Sequence, residues 1–197
     1  MLHRRASVSR LVSESYGGAN LIALPQTVHP RQATYMATKP ATRSDWNTEE
    51  MPIQKATLAV ERLFSREEMT LLKQGVVPEA MEDKWFIFHE GDRLYFHRSW
   101  TGFCIYIVRF EERGDRHAMV NIEANRDPEQ YNQQNDKYDV QMLSYLIDAL
   151  LLGQSGQFPV LDPNASPEIN ALQQWSIVGR TMLKEPSESE NTPRREL

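Results

Sequence analysis

The chain has 197 residues, 40% hydrophobic and 25% charged, with a net charge of −5; this length holds one domain with tails or a tight pair of small ones, and the apolar share points to a core diluted by polar segments. One cysteine, Cys104, excludes an intramolecular disulfide, and no run approaches the roughly 18 consecutive apolar residues of a membrane-spanning helix. Residues 1–43 carry six Lys/Arg and one acid while the remainder carries sixteen basic and twenty-six acidic residues, a balance that argues against binding to a nucleic-acid backbone.

Residues 1–51 mix Ser, Thr, Pro, Gly and Arg without a sustained period and are expected to be disordered or loosely ordered. Arg4, Arg5 and Arg10 among serines also fit a targeting segment or an over-extended gene start, and these alternatives stay open. A single α+β domain is expected over 52–183. Residues 56–64 (ATLAVERLF) read equally as a strand or a helical turn. Ser65 to Glu68 form a capping box, in which the serine oxygen accepts a backbone N–H and the glutamate reaches back. A short helix follows to about Gln74, with Gly75 as its stop.

The densest pattern comes next. Lys84 to Glu90 is aromatic and β-rich, Gly91-Asp92 makes a tight turn, and Arg93 to Arg98 forms a second strand. Cys104 to Glu111 gives a third, Arg113-Gly114-Asp115 a turn, and Ala118 to Ala124 a fourth. Short β-rich runs between turn residues predict an antiparallel meander of about four strands. By alternation, Trp85, Ile87 and His89 share one face and Phe86 and Phe88 the other; Phe103, Ile105 and Ile107 oppose Cys104, Tyr106 and Val108. Both faces are apolar. One must receive helices, and the other needs the N-terminal segment, a partner or a ligand. In this setting Cys104 reads as a small buried hydrophobe.

Asp136 is placed to N-cap a helix over 137–152 that ends at Gly153, with Asp139 completing the box. Tyr138, Met142, Tyr145, Leu146, Ala149 and Leu150 make its apolar stripe. Ser166-Pro167 open a last helix to Arg180 carrying Ile169, Leu172, Trp175 and Ile177. This helix pair is expected to pack on the sheet. The tail 184–197 reads as disordered.

Two motifs hold the candidate site. HRSWTG (residues 97–102) joins the second strand to the third. Arg98 offers a planar fork for phosphate or carboxylate, Trp100 a stacking face, Thr101 a hydroxyl, and Gly102 a close backbone approach. An ordinary hairpin with a packed Trp and a surface-paired Arg fits the same residues. NRDPEQY (125–131) leads into the helix at 137, and its Asn125, Arg126, Asp127 and Tyr131 are the other candidate ligand-binding residues. The plain reading there is a capped loop with an Arg126–Asp pair. His97 and Arg98 must leave opposite faces of one strand, so Arg98 rather than His97 is expected to matter for a ligand. No metal-ligand spacing stands out, and no Gly-rich phosphate loop or nucleophile motif is present. No cofactor or catalytic residue is assigned, and whether the chain is an enzyme stays open.

KWFIFHEGDRLYFHRSWTGFCIYIVRFE together with ANRDPEQYNQQNDKYDVQMLSYLIDALLLG resembles a bacterial domain associated with ADP-ribosylglycohydrolase or macrodomain-like proteins, over about residues 81–153. The resemblance implies a link to ADP-ribose or NAD metabolism and no site residue. Two functions therefore stand side by side for a cytoplasmic, non-membrane protein. One is a non-catalytic interaction or accessory module that docks an apolar sheet face onto a protein partner or onto itself. The other is a domain that binds or processes a nucleotide-like small molecule. Convergence of the two motifs on one pocket would favour the second.

Overall fold

Five strands, β1 (Lys55–Phe64), β2 (Trp85–Glu90), β3 (Arg93–Arg98), β4 (Cys104–Arg113) and β5 (Arg116–Asn125), form one antiparallel sheet in the order β1-β5-β4-β3-β2. The structure, a computed structural model, describes residues 39–159 and 166–179. The expected meander is β2 to β5. The ambiguous run at 56–64 is a fifth strand, paired with the free edge of β5. Its apolar alternation is obscured because its register shifts between Ala59 and Arg62.

Among the described residues three α-helices accompany the sheet: α1 (Arg66–Leu72), α2 (Asp136–Leu146), which continues as a π-helical stretch at Ile147–Leu152, and α3 (Pro167–Val178), with one 3-10 turn at Arg43–Asp45. The capping box of α1 is formed: Glu68 N donates to Ser65 Oγ at 3.2 Å and Ser65 N to Glu68 Oε2 at 2.8 Å. The cap of α2 differs from the expectation. Asn135, not Asp136, accepts from Tyr138 N at 3.0 Å. Asp136 and Asp139 are instead drawn to Arg126. Two good capping residues stand side by side here, and the charge partner decides between them.

One sheet face packs Trp85, Ile87, Leu94, Phe96, Tyr106, Val108 and Ile122 against Met142, Leu143, Leu146 and Ile147, and α1 adds Met69 and Leu72. Complete burial of Leu146 and near-complete burial of Trp85 place both in this core. The register shifts between Phe96 and His97, so Cys104 lies opposite His97 while Tyr106 lies opposite Phe96. This corrects the strict alternation expected along 103–108. A bulge at Ile105 sends Cys104 to the face away from α2 and Tyr106 to the face beneath it.

The other face, over β2 and β3, is covered by the chain's own residues 39–50. Ala41 buries against Phe86 and Phe88, with Trp46 and Tyr95 at the margin. The Arg43 guanidinium lies 5.2 Å from the centroids of both Phe88 and Tyr95 and pairs with Glu90 at 3.0 Å and Glu50 at 3.1 Å. Residues 39–51 therefore belong to the folded body, a correction to the boundary at 52. Two anchors, Ala41 and Trp46, hold them, too few to give a hydrophobic period. The expectations for 1–38 and 180–197 lie outside the described residues. Among the described residues no helix is long and apolar enough to cross a membrane.

Candidate functional site

The 99–102 turn after β3 and the 126–135 loop after β5 emerge at the same end of the sheet, because β3 and β5 run parallel to each other on either side of β4. The turn is held through its main-chain groups by both backbone and side-chain partners. Gly102 N donates to Arg98 O at 2.9 Å, Ser99 N to Lys84 O at 3.1 Å, and Trp46 Nε1 to Ser99 O at 2.7 Å. Gly102 has φ of 78°, and a side chain there would meet the Asn47 carbonyl at 2.9 Å, so only glycine fits.

Arg98 points to the helix face, as alternation requires. Its Nη1 donates to the Ile177 carbonyl at 3.0 Å, near the C-terminus of α3, where Trp85 Nε1 donates to the same oxygen at 2.8 Å. The negative end of the helix favours a cation there. The guanidinium also lies 4.9 Å from the Trp85 ring centroid. Among the described residues no carboxylate is within ion-pair range of it, and its side chain makes no other hydrogen bond. Burial lowers its pKa from the ordinary value, but an arginine remains charged at neutral pH.

Arg98 forms the shared wall of two cavities. The first, about 450 Å³, is lined by Trp85, Ile105, Tyr131, Tyr138, Met142 and Ile177. The second, about 500 Å³, is lined by Lys84, Ser99, Trp100, Thr101, Phe103 and Ser176. Glu129 and Gln130 border both. The two sequence motifs therefore meet at one cleft, with residues 98–101 on one bank and 129–131 on the other. Trp100 is 67% exposed, donates through Nε1 to Met81 O at 2.9 Å, and carries the Lys84 ammonium 4.3 Å from its ring centroid. Thr101 is exposed, and its Oγ1 accepts from Phe103 N at 3.3 Å.

The remaining candidates brace the loop rather than line the cleft. Asn125 is fully buried; its Nδ2 donates to Cys104 O at 2.8 Å and Gln130 Oε1 at 2.9 Å, and its Oδ1 accepts from Asp127 N at 2.8 Å. Asp127 accepts from Glu129 N at 3.0 Å through Oδ1 and from Tyr131 N at 2.8 Å through its carbonyl. These local side-chain-to-backbone bonds fold the loop back on itself. Arg126 Nη2 lies 2.6 Å from Asp136 and 2.7 Å from Asp139, which leaves its charge compensated. Tyr131 is the one member of this group on the cavity wall. Its hydroxyl and that of Tyr106 both reach Asp139 Oδ1, at 2.7 and 2.8 Å. Burial foremost, then the neighbouring carboxylate, pushes the Tyr138 phenol up to about 12, and burial likewise raises Tyr106 and Tyr131. All three stay neutral donors at neutral pH.

Sequence reasoning missed Lys84, Trp85, Tyr138 and Ile177. The first two adjoin at the start of β2, and Tyr138 belongs to the apolar stripe of α2; only the fold brings them to Arg98. His97 lies on the far face, stacked near Phe88 at 5.6 Å. Its Nδ1 is 2.9 Å from the Gly102 carbonyl, which can only accept, so Nδ1 carries the proton and Nε2 does not. Cys104 is buried, and its thiol is pushed up to about 12 mainly by burial, well outside the range of reactive thiols. Among the described residues no group of three or more His, Cys, Asp or Glu is placed to hold a metal. No protein-family model matches this chain, and neither the curated proteins nor the solved structures contain one similar enough to count as a match.

Proposed function

We propose that the domain binds a small anionic, ring-bearing ligand of the nucleotide kind in the cleft between the 99–102 turn and the 126–135 loop. The carrying observation is Arg98, a largely enclosed guanidinium with one hydrogen bond, to a main-chain carbonyl, and no carboxylate partner among the described residues. A guanidinium has five N–H donors, and an enclosed charge with donors to spare suits a phosphate or carboxylate. The first cavity, about 450 Å³, falls within the roughly 300–1,000 Å³ of small-molecule sites. Its Tyr131 and Tyr138 side chains line it with aromatic surface, and Tyr138 adds a neutral hydroxyl, whereas that of Tyr131 is already given to Asp139. ADP-ribose and NAD-related compounds are the ligand class to which the sequence resemblance points.

The role of an accessory module that docks through an apolar sheet face has less support. Over β2 and β3 that face is already occupied by Ala41 and Trp46. Titration of AMP, ADP-ribose and NAD by calorimetry tests the ligand reading. Binding should occur with at least one of them, be lost in Arg98→Met, and survive in His97→Ala, because His97 lies on the opposite face. No heat from any of the three, or binding that survives Arg98→Met, overturns it.

A further inference from the structure

We infer that the ligand has two ring systems joined through an anionic bridge, one ring in each cavity and the bridge at Arg98. This rests on the cleft binding a nucleotide-like anion at all, and it adds what kind. The two cavities have similar volumes, about 450 and 500 Å³, and share Arg98, Glu129 and Gln130 as their boundary. Each has its own aromatic surface: Tyr131 and Tyr138 in the first, Trp100 and Phe103 in the second. Among the described residues the only cation common to both is Arg98, so the negative charge of a bound molecule is drawn to the junction and its rings to the two ends.

The second cavity is equipped for an anionic neighbour of its own. Lys84 lies 4.3 Å from the Trp100 ring centroid and 5.5 Å from that of Trp175, and donates to Met81 O at 3.4 Å. Among the described residues no carboxylate is in ion-pair range of it. The ammonium takes one face of the Trp100 indole, and the 67% exposure of this residue leaves the rest open for stacking. Glu129 stands at the same boundary but is exposed, so solvent screens its carboxylate more than it screens the enclosed Arg98. A single-ring monophosphate fills one cavity and leaves the other to water. A diphosphate bridge between two nucleoside-like ends matches cation, walls and volumes together.

The test compares AMP with NAD, which joins the AMP moiety through a second phosphate and a second ribose to the nicotinamide ring, by calorimetry on the parent chain and on Trp100→Ala. The exposure of Trp100 makes this variant safe for the fold, and a thermal melt checks it. The parent should bind NAD about tenfold or more tightly than AMP, the value of one stacked ring, and Trp100→Ala should bring the ratio close to one. Lys84→Gln should narrow it in the same direction. Equal affinity of the parent for AMP and NAD overturns the inference and leaves the ligand reading intact. So does a Trp100→Ala loss that is the same factor for both. Failure of both AMP and NAD to bind overturns this inference; if ADP-ribose fails as well, the ligand reading falls with it.

Discussion

Arg98 and Arg126 stand at the same end of the sheet, each within one residue of a strand terminus, and have opposite fates. Arg126 sits between two carboxylates, 2.6 Å from Asp136 and 2.7 Å from Asp139. Arg98 has an indole face and one main-chain carbonyl. The same side chain thus serves as a brace in one place and as an open charge in the other. The difference lies in whether α2 brings an acid to it: the Arg126–Asp pair is the plain reading of its loop and is formed, while nothing around Arg98 encodes the lack of one. A buried charge that is paired contributes structure, whereas one that is unpaired has to be explained by what it does.

The largest effect should fall on the braced side. Asp139→Ala leaves Arg126 with Asp136 alone and takes the acceptor from the hydroxyls of buried Tyr106 and half-buried Tyr131. The expected cost is about 3 kcal/mol in a urea melt; a change under about 1 kcal/mol would show that the network is ornamental. On the open side, Arg98→Met keeps the length of the side chain and removes the uncompensated charge. Stability should remain within about 1 kcal/mol of the parent, since Trp85 still donates to Ile177 O, while ligand binding disappears. A loss as large as that of Asp139→Ala would erase the contrast between the two arginines. Trp100→Ala, at an exposed rim, should shift stability by less than about 0.5 kcal/mol.

The smallest effect is a shallow pH slope from the opposite face. Burial holds the His97 imidazole below its ordinary pKa of about 6.5, so the folded state prefers it neutral. Stability from this group is fully present above about pH 6.5 and is lost progressively as pH falls from there toward the depressed folded value. His89 shifts in the same direction, also by burial. Melts at pH 7.5 and 5.5 should show the decline, reduced in His97→Gln. Affinity for NAD, whose diphosphate does not titrate between these pH values, should not follow it, and a parallel fall would tie the two faces together.

The meander was readable because Gly91 and Gly114 mark its tight turns and each strand between them has a clean β composition. β1 was not, because the register shift between Ala59 and Arg62 breaks its alternation. The bulge at Ile105 hid the face of Cys104 for the same reason: one inserted residue inverts every later position. Arg98 could be singled out from alternation alone, since His97 and Arg98 had to part. Its partners could not. Trp85, Tyr138 and Ile177 come from β2, α2 and α3, as many as 92 positions apart for Trp85 and Ile177, and side chains meeting at that distance leave no trace in local spacing.

The 39–50 segment lines neither cavity, yet it fastens the cleft from behind. Trp46 Nε1 donates to Ser99 O at 2.7 Å, and Glu49 N donates to Gly102 O at 2.8 Å, the carbonyl that also meets His97 Nδ1 at 2.9 Å. With Ser99 N and Gly102 N engaged as well, the turn bearing Trp100 and Thr101 has few main-chain groups left to settle when a ligand arrives. Its conformational entropy is surrendered during folding instead of at recognition. Association should therefore proceed as docking to a rigid rim, with little ordering to record in its entropy, and a backbone cut near residue 48 would restore that penalty without altering one atom of the cleft's lining.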